Sequence, residues 1–178
     1  DELMRQGQVR AAVVVNATGP WCDELRRLED PSARPLLRRT RGVHVMVRRE
    51  RLGHTAGITL TSPIDGRVMF VLPWGDFSYI GTTDTDEPGP PEAAAPAEAD
   101  VHYLLRSANA CFPQAHLTEE DVVSSWAGVR ALLDTGDAGS ASSVSREHVI
   151  RRGPGGMFTI AGGKLTTCRS MAAELVDE

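Results

Sequence analysis

Two glycines, a lysine and two hydroxyls stand together in Gly162-Gly163-Lys164-Leu165-Thr166-Thr167, between the apolar run MFTIA and the helical pattern CRSMAAELVDE. A strand that ends on two glycines and turns directly into a helix lets a ligand approach the backbone closely. The helix's first unpaired N–H groups then face that ligand with partial positive charge. This chemistry suits an anion or a dipole; the alternative is a strand-to-helix turn in which glycine only relieves crowding. Lys164 is the sole lysine in a chain with eighteen arginines. Its ammonium is a point charge able to sit beside a developing oxyanion, with a pKa that shifts readily, unlike a planar guanidinium.

Arginines stand at two further points. Trp126-Ala127-Gly128-Val129-Arg130 places one after an aromatic and a glycine, and Ser145-Arg146-Glu147 places another sixteen positions later. Each is a surface charge on one reading; on the other, the two forks join Lys164 in holding a phosphate. His44 occupies the polar phase of the valine-lined run GVHVMV, facing either solvent or a cleft. The run Thr82-Thr83-Asp84-Thr85-Asp86 reads as a polar turn or a weak cation site. Cys22 and Cys168 have no histidine nearby in sequence and read as core thiols.

These residues must be held by elements that the hydrophobic pattern outlines. Val9 to Asn16 is a β-branched run, read as a buried strand stopped by Ala17-Thr18-Gly19-Pro20. The following WCDELRRL predicts a helix with Trp21, Leu25 and Leu28 on its apolar face. Glu29 to Arg41 reads as a basic loop, and Gly42 to Val47 as a strand of period two. Ile58 to Thr61, Arg67 to Leu72 and Phe77 to Thr82 predict an antiparallel meander, joined through Ser62–Gly66 and Trp74–Asp76. Pro88 to Ala97 should be an exposed connection. Glu98 to Phe112 carries the helical stripe Val101, Leu104, Leu105, Ala108, and Thr118 with Asp121 resembles a capping box ahead of Val122 to Val129. Gly136 to Ser143 reads as a polar loop, Val149-Ile150 and Met157 to Ala161 as a strand pair, and Met171, Ala172, Leu175 and Val176 as the apolar face of a last helix.

With 178 residues, 41% hydrophobic and 24% charged, the chain suits one domain or pieces of two, and excludes a disordered, collagenous or coiled-coil protein. Its longest apolar run, Ala11 to Val15, is far short of the ~20 residues of a membrane-spanning helix. A net charge of −5 argues against nucleic acid as a partner. Three cysteines without CxxC spacing suit a reducing compartment, and no pattern of metal ligands is present, so no metal is expected. The opening DELMRQGQ does not read as a natural start and the last helical pattern lacks a C-cap, so the sequence is expected to be a fragment.

Five stretches in order carry a resemblance: Val15-Asn16-Ala17-Thr18-Gly19-Pro20-Trp21, Arg41-Gly42-Val43-His44, Pro73-Trp74 with Ile80-Gly81-Thr82-Thr83-Asp84, Trp126 to Arg130, and Gly162 to Thr167. Over residues 9–176 the chain resembles the FAD-dependent glycerol-3-phosphate dehydrogenases. The resemblance implies an α+β fragment of a two-domain, D-amino-acid-oxidase-like flavoprotein. An antiparallel or mixed-sheet substrate domain with flanking helices would occupy residues 36–125, and parts of a Rossmann-type FAD domain residues 1–35 and 126–178.

It further implies oxidation of sn-glycerol 3-phosphate to dihydroxyacetone phosphate, the hydride passing to FAD and the electrons onward to quinone. The location implied is cytoplasmic, at the periphery of the cytoplasmic membrane. In that picture Arg130, Arg146 and Lys164 bind substrate, His44 and Lys164 act in catalysis, and Ala17, Thr18, Gly19, Gly162, Gly163, Leu165, Thr166 and Thr167 approach the cofactor. Cys168 departs from a common aromatic and Ala131 from a common proline. The family's GxGxxG fingerprint, its upstream substrate-binding arginine and its C-terminal domain are missing, so this chain alone is expected to bind FAD weakly and turn over little. Two other readings stay open: a related amino-acid or hydroxy-acid oxidase that binds a carboxylate, and a non-catalytic module that captures phosphorylated ligands through Arg130 and Arg146.

Overall fold

The structure, a computed structural model, describes residues 7–134, 136 and 146–178. Its longest strands are β2 (Leu37–Arg48) and β7 (Val122–Leu133), which pair antiparallel from Leu37 opposite Leu133 to Val47 opposite Val122. On its other side β2 pairs with β5 (Phe77–Gly81) and with the two-residue β6 (Thr85–Asp86), while β4 (Val68–Trp74) and β3 (Ile58–Thr61) continue the sheet outward. The expected meander is present. Alternation sets the faces: Val43, Val45, Val47, Met69, Val71 and Ile80 are fully buried on one side. Helix α2 (Glu98–Cys111) covers that side, with Leu104, Leu105 and Ala108 buried against these valines. The Asp100 carboxylate accepts the Ala97 N–H at 3.1 Å, fixing the start of the helix. Leu117 is clamped by Asn109 through a donated and an accepted bond.

A second, three-stranded sheet holds β1 (Val15–Asn16), β9 (Phe158–Gly162) and β8 (His148–Arg152), with β9 in the middle. β1 lies parallel to β9 and β8 antiparallel. Helix α1 (Cys22–Glu29) follows β1, and α3 (Cys168–Asp177) follows β9. A small core of Cys22, Leu37 and Ala161 joins this sheet to the base of β2, and β7 touches both β9 and the Gly19–Trp21 turn. β7 thus runs from one sheet to the other, straight through position 125/126.

Several local expectations are corrected. The strand read from Gly42 begins at Leu37, inside the stretch read as a basic loop. Its arginines are paired with distant acids: Arg38 with Asp86 at 2.7 Å, and Arg41 with Glu87 at 2.8 Å and Asp100 at 2.9 Å. Asp23 on α1 accepts the N–H groups of Leu36 and Leu37, starting the strand. β1 is only two residues long; Val9 is 91% exposed, and Val13 and Val14 are exposed too. On α1 the buried residue is Cys22, whereas Leu28 is 84% exposed, so the stripe Trp21, Leu25, Leu28 does not face a core. Burial pushes the Cys22 thiol up to about 11, while Cys168 is exposed rather than a core thiol. On α3 no residue is buried, and Val176 is 83% exposed. The polar loop read at Gly136 to Ser143 lies, from residue 137 onward, outside the described residues. Among the described residues no helix is long and apolar enough to cross a membrane.

Candidate functional site

The face of the larger sheet opposite α2 carries the site. His44 on β2 sits directly across from Gly81 on β5 and Trp126 on β7. Its imidazole stacks on Trp126, with centroids 5.4 Å apart and planes 12° apart, and meets Tyr79 edge-on at 6.0 Å. Gly81 makes room for that ring, since a Cβ there would stand 2.1 Å from His44 Cδ2. Burial, then the charge of Arg130, lowers the His44 pKa, which keeps the ring neutral near pH 7. His44 is therefore half-buried among aromatic rings, on the sheet face away from α2.

Two residues along, Gly42 on β2 pairs with Gly128 on β7. The Arg130 guanidinium lies over Gly42, where a Cβ would come within 2.3 Å of Nη2. Arg130 donates to Thr82 Oγ1 at 2.9 Å, to the Thr83 carbonyl at 3.2 Å and to Asp84 Oδ1 at 3.3 Å. The Asp84 side chain is only 5% exposed, and its other oxygen stands 3.9 Å from Arg146 Nη2. The two carboxylates read as a weak cation site therefore part company: Asp84 orients Arg130 and Arg146, and Asp86 binds Arg38. The two arginines line one cleft of about 740 Å³ with Thr82, Asp84, Arg67 and Phe70. Above Gly128 the space is open within 4 Å, leaving bare backbone between Trp126 and Arg130 that a ligand can approach.

The glycine turns form the second half. Because β1 and β9 are parallel neighbours, with Asn16 opposite Thr159, Ala17-Thr18-Gly19 and Gly162-Gly163-Lys164 leave from adjacent carboxyl ends. That edge is where open α/β sheets hold ligands. Asn16, fully buried, fixes the first turn: its Nδ2 donates to the Cys22 carbonyl at 2.9 Å, and its Oδ1 accepts the Thr18 hydroxyl at 2.7 Å. Gly19 has φ +58 with open space over it, so its backbone is approachable. Gly162 and Gly163 have φ +78 and +76, and here packing alone demands glycine: a Cβ would meet the Glu147 carbonyl at 2.3 Å or Met171 Sδ at 2.4 Å. Thr167 closes the second turn, its hydroxyl donating to the Lys164 carbonyl at 3.0 Å. Leu165 is 89% exposed, and Thr166, Thr167 and the start of α3 are exposed too.

The residues singled out in the sequence thus fall into two groups. Arg130 and Arg146 meet on Asp84 beside His44, and the cofactor-type glycines gather at the ends of β1 and β9. Lys164 is exposed, and among the described residues its side chain bonds to neither group. Sequence reasoning did not single out Trp126, Tyr79, Gly42, Gly81 or Asp84 in these roles, because each acts through a cross-strand partner. A separate exposed group, Glu98, His102 and Glu119, gathers beside α2, with His102 bonded to Glu119.

A family model described as FAD dependent oxidoreductase matches residues 2–177. The chain belongs to that family. It is 38% identical over 170 residues to the aerobic glycerol-3-phosphate dehydrogenase of Staphylococcus haemolyticus, covering 96% of this chain and 30% of that protein. It is 42% identical over 170 residues to glycerol-3-phosphate dehydrogenase 2 of Mycobacterium bovis, covering 96% of this chain and 28% of that one. The X-ray structure of the glycerol-3-phosphate dehydrogenase from Bacillus halodurans, complexed with FAD, superposes with a TM-score of 0.82 at 37% identity. The match covers 95% of this chain and 32% of that one. The chain thus spans under a third of these relatives' length. The α+β, D-amino-acid-oxidase-like fold expected from the sequence agrees with that family and with that neighbour.

Proposed function

We propose that this FAD-dependent oxidoreductase chain takes part in oxidising sn-glycerol 3-phosphate to dihydroxyacetone phosphate. One observation carries the reading: Arg130 and Arg146 converge on the buried Asp84 at the wall of an open cleft, on the same sheet face as His44. The similarity to named glycerol-3-phosphate dehydrogenases supports it. Asp84 balances one of the two guanidinium charges and orients both forks, and a phosphate then takes the donors left over. His44, kept neutral, accepts the proton of the C2 hydroxyl as the C2 hydride leaves; a place for the Lys164 ammonium beside that oxygen is proposed on the resemblance alone.

The residues present fit a flavin. Gly19 offers open left-handed backbone, and Leu165, Thr166 and Thr167 are exposed ahead of α3, with the Thr167 N–H already bonded to the Lys164 carbonyl. Ala17, Thr18, Gly19, Gly162, Gly163, Leu165, Thr166 and Thr167 would hold it, the helix dipole favouring negative charge on its polar edge. FAD, when bound, supplies the hydride acceptor. We assign residues 1–35 and 126–178 to the FAD-binding part and 36–125 to the substrate-binding part; the sheet of β1, β8 and β9 supports the former, while β7 carries the larger sheet across the 125/126 boundary. A quinone as acceptor, at the cytoplasmic membrane surface, is proposed on the resemblance alone.

The test is anaerobic loss of the flavin's visible absorbance in the longest natural polypeptide carrying these residues, with glycerol 3-phosphate, glycerol and a panel of amino acids. Glycerol 3-phosphate is expected to reduce the flavin. The charge balance at Asp84 also suits a monoanionic carboxylate, so reduction by an amino acid alone establishes the oxidase reading instead. Protein that is colourless and cannot be reconstituted with FAD supports the non-catalytic phospholigand module.

A further inference from the structure

We propose that Trp126 is a positioning residue of the site, holding the His44 imidazole by its face so that a ring nitrogen meets the C2 hydroxyl. The inference deepens the glycerol 3-phosphate reading above and rests on it. A histidine that moves protons is commonly fixed by a hydrogen bond to its second nitrogen. Among the described residues no hydrogen bond reaches either ring nitrogen of His44. Other histidines of the chain are pinned in that way: His54 to the Ala56 carbonyl at 2.8 Å and Ser78 Oγ at 2.6 Å, and His148 to Glu174 at 2.9 Å. His44 is held by rings instead, and both its nitrogens stay available to a ligand.

The register makes the hold specific. His44 lies directly between Gly81 of β5 and Trp126 of β7. The indole stacks on the imidazole with planes 12° apart, and Tyr79 stands edge-on to His44 at 6.0 Å and tilted against Trp126 at 6.1 Å. Trp74 backs Tyr79 in turn at 6.4 Å. On the β5 side, a Cβ at Gly81 would meet His44 Cδ2 at 2.1 Å and Nε2 at 2.6 Å, so that edge of the ring rests over bare backbone. Trp126 itself is 39% exposed on the face that α2 does not cover, between exposed Ser125 and half-buried Ala127. Its indole therefore packs on His44 rather than in the core.

Trp126 and Arg130 stand four residues apart on β7, on one face, with the open backbone of Gly128 between them. One strand thus carries both the platform for the proton acceptor and the arginine assigned to the phosphate, which fixes their separation. The stack also shields the ring from water. Burial, then the charge of Arg130, lowers the His44 pKa, and the indole supplies part of that burial. The titratable and charged groups that face His44 are Tyr79 from β5 and Arg130 from β7; Phe70 of β4, level with Gly81, carries no charge.

The test is made in the longest natural polypeptide carrying these residues. Trp126→Leu is expected to lower kcat with glycerol 3-phosphate by about 2- to 10-fold, the range of one aromatic pair, with KM within twofold of the parent's. The acid limb should move to higher pH as the ring regains solvent. Histidine NMR resonances, assigned with His44→Asn, should report the same rise in the His44 pKa without turnover. Trp126→Tyr keeps a ring and should restore most of kcat. In a His44→Asn background, Trp126→Leu should lower kcat no further, because a residue that acts through His44 has no effect once His44 is gone. An unchanged kcat and acid limb in Trp126→Leu, or a loss fully additive with that of His44→Asn, overturns the inference. Should Trp126→Leu not fold, Trp126→Thr, ringless and suited to a strand, is read by the same outcomes. If glycerol 3-phosphate fails to reduce the flavin in the unaltered protein, the underlying reading fails instead, while the NMR titration still reads the hold of Trp126 on His44, so the two failures are told apart.

Discussion

Gly42→Ala displaces Arg130 without altering it. Gly42 is buried on β2 with a backbone that alanine can adopt, and an added Cβ would lie 2.3 Å from Arg130 Nη2 and 2.5 Å from Nη1. Ordinary contact begins near 3.4 Å, so the guanidinium must move by roughly 1 Å. Its bonds to Thr82, Thr83 and Asp84, now 2.9 to 3.3 Å, then lengthen beyond useful hydrogen-bond distance. Losing a hydrogen bond to a charged group costs about 1.5–3 kcal/mol, which is about 10- to 100-fold in KM for glycerol 3-phosphate. Stability should change little, because the clashing atoms are the tip of a flexible side chain and replacing glycine within a strand gains about 0.5–1 kcal/mol. Kinetics and thermal melting are measured together on the same preparation. A KM within twofold of the parent would refute the placement of Arg130 in the clamp, and a collapse in melting temperature would show that backbone, not a side-chain tip, fills the space over Gly42.

His44 should give kcat/KM an acid limb with an apparent pKa below about 6.5, since burial and Arg130 both disfavour its charged form. The limb should vanish in His44→Asn; its persistence would assign it to another group. Because the folded pKa is lowered, the unfolded chain binds more protons in that window, so the His44 contribution to stability is full above about pH 6.5 and is lost as pH falls through the folded pKa, readable from denaturation midpoints. Gly162→Ala should cost about 1–3 kcal/mol in chemical denaturation, because a Cβ would stand 2.3 Å from the Glu147 carbonyl at a positive φ; an unchanged midpoint would show that the turn relaxes freely. Asn16→Ala removes the donor to the Cys22 carbonyl and the acceptor for the Thr18 hydroxyl, and should cost about 1–3 kcal/mol and weaken FAD retention together.

What the sequence made legible was local. Period-two runs located β3, β4 and β5, the i, i+3, i+4 stripe located α2, and Gly-Gly before a helical pattern located the turn that ends β9. The start of β2 was hidden because its arginines looked like a solvated run until Glu87 and Asp100, far along the chain, supplied their partners. The Val9 to Asn16 run looked like a core strand because periodicity reports apolarity, not whether a neighbour is there to cover it. The site divides in the same way. Arg130, Arg146 and His44 were visible by residue type, but their convergence depends on Asp84, Gly42 and Gly81, which act across strands at registers no linear pattern encodes. Lys164 was visible as a compositional oddity, and the geometry leaves it exposed beside the turn, reaching none of the other candidates.

The most direct measurement is a crystal structure of the longest natural polypeptide carrying these residues, with FAD and glycerol 3-phosphate bound. The phosphate is expected within about 3.2 Å of the Arg130 guanidinium, with the C2 hydroxyl beside His44 and the flavin edge against Gly19 and the amides that open α3. A phosphate bound away from Arg130, or a flavin that leaves the ends of β1 and β9 uncovered, would contradict the account.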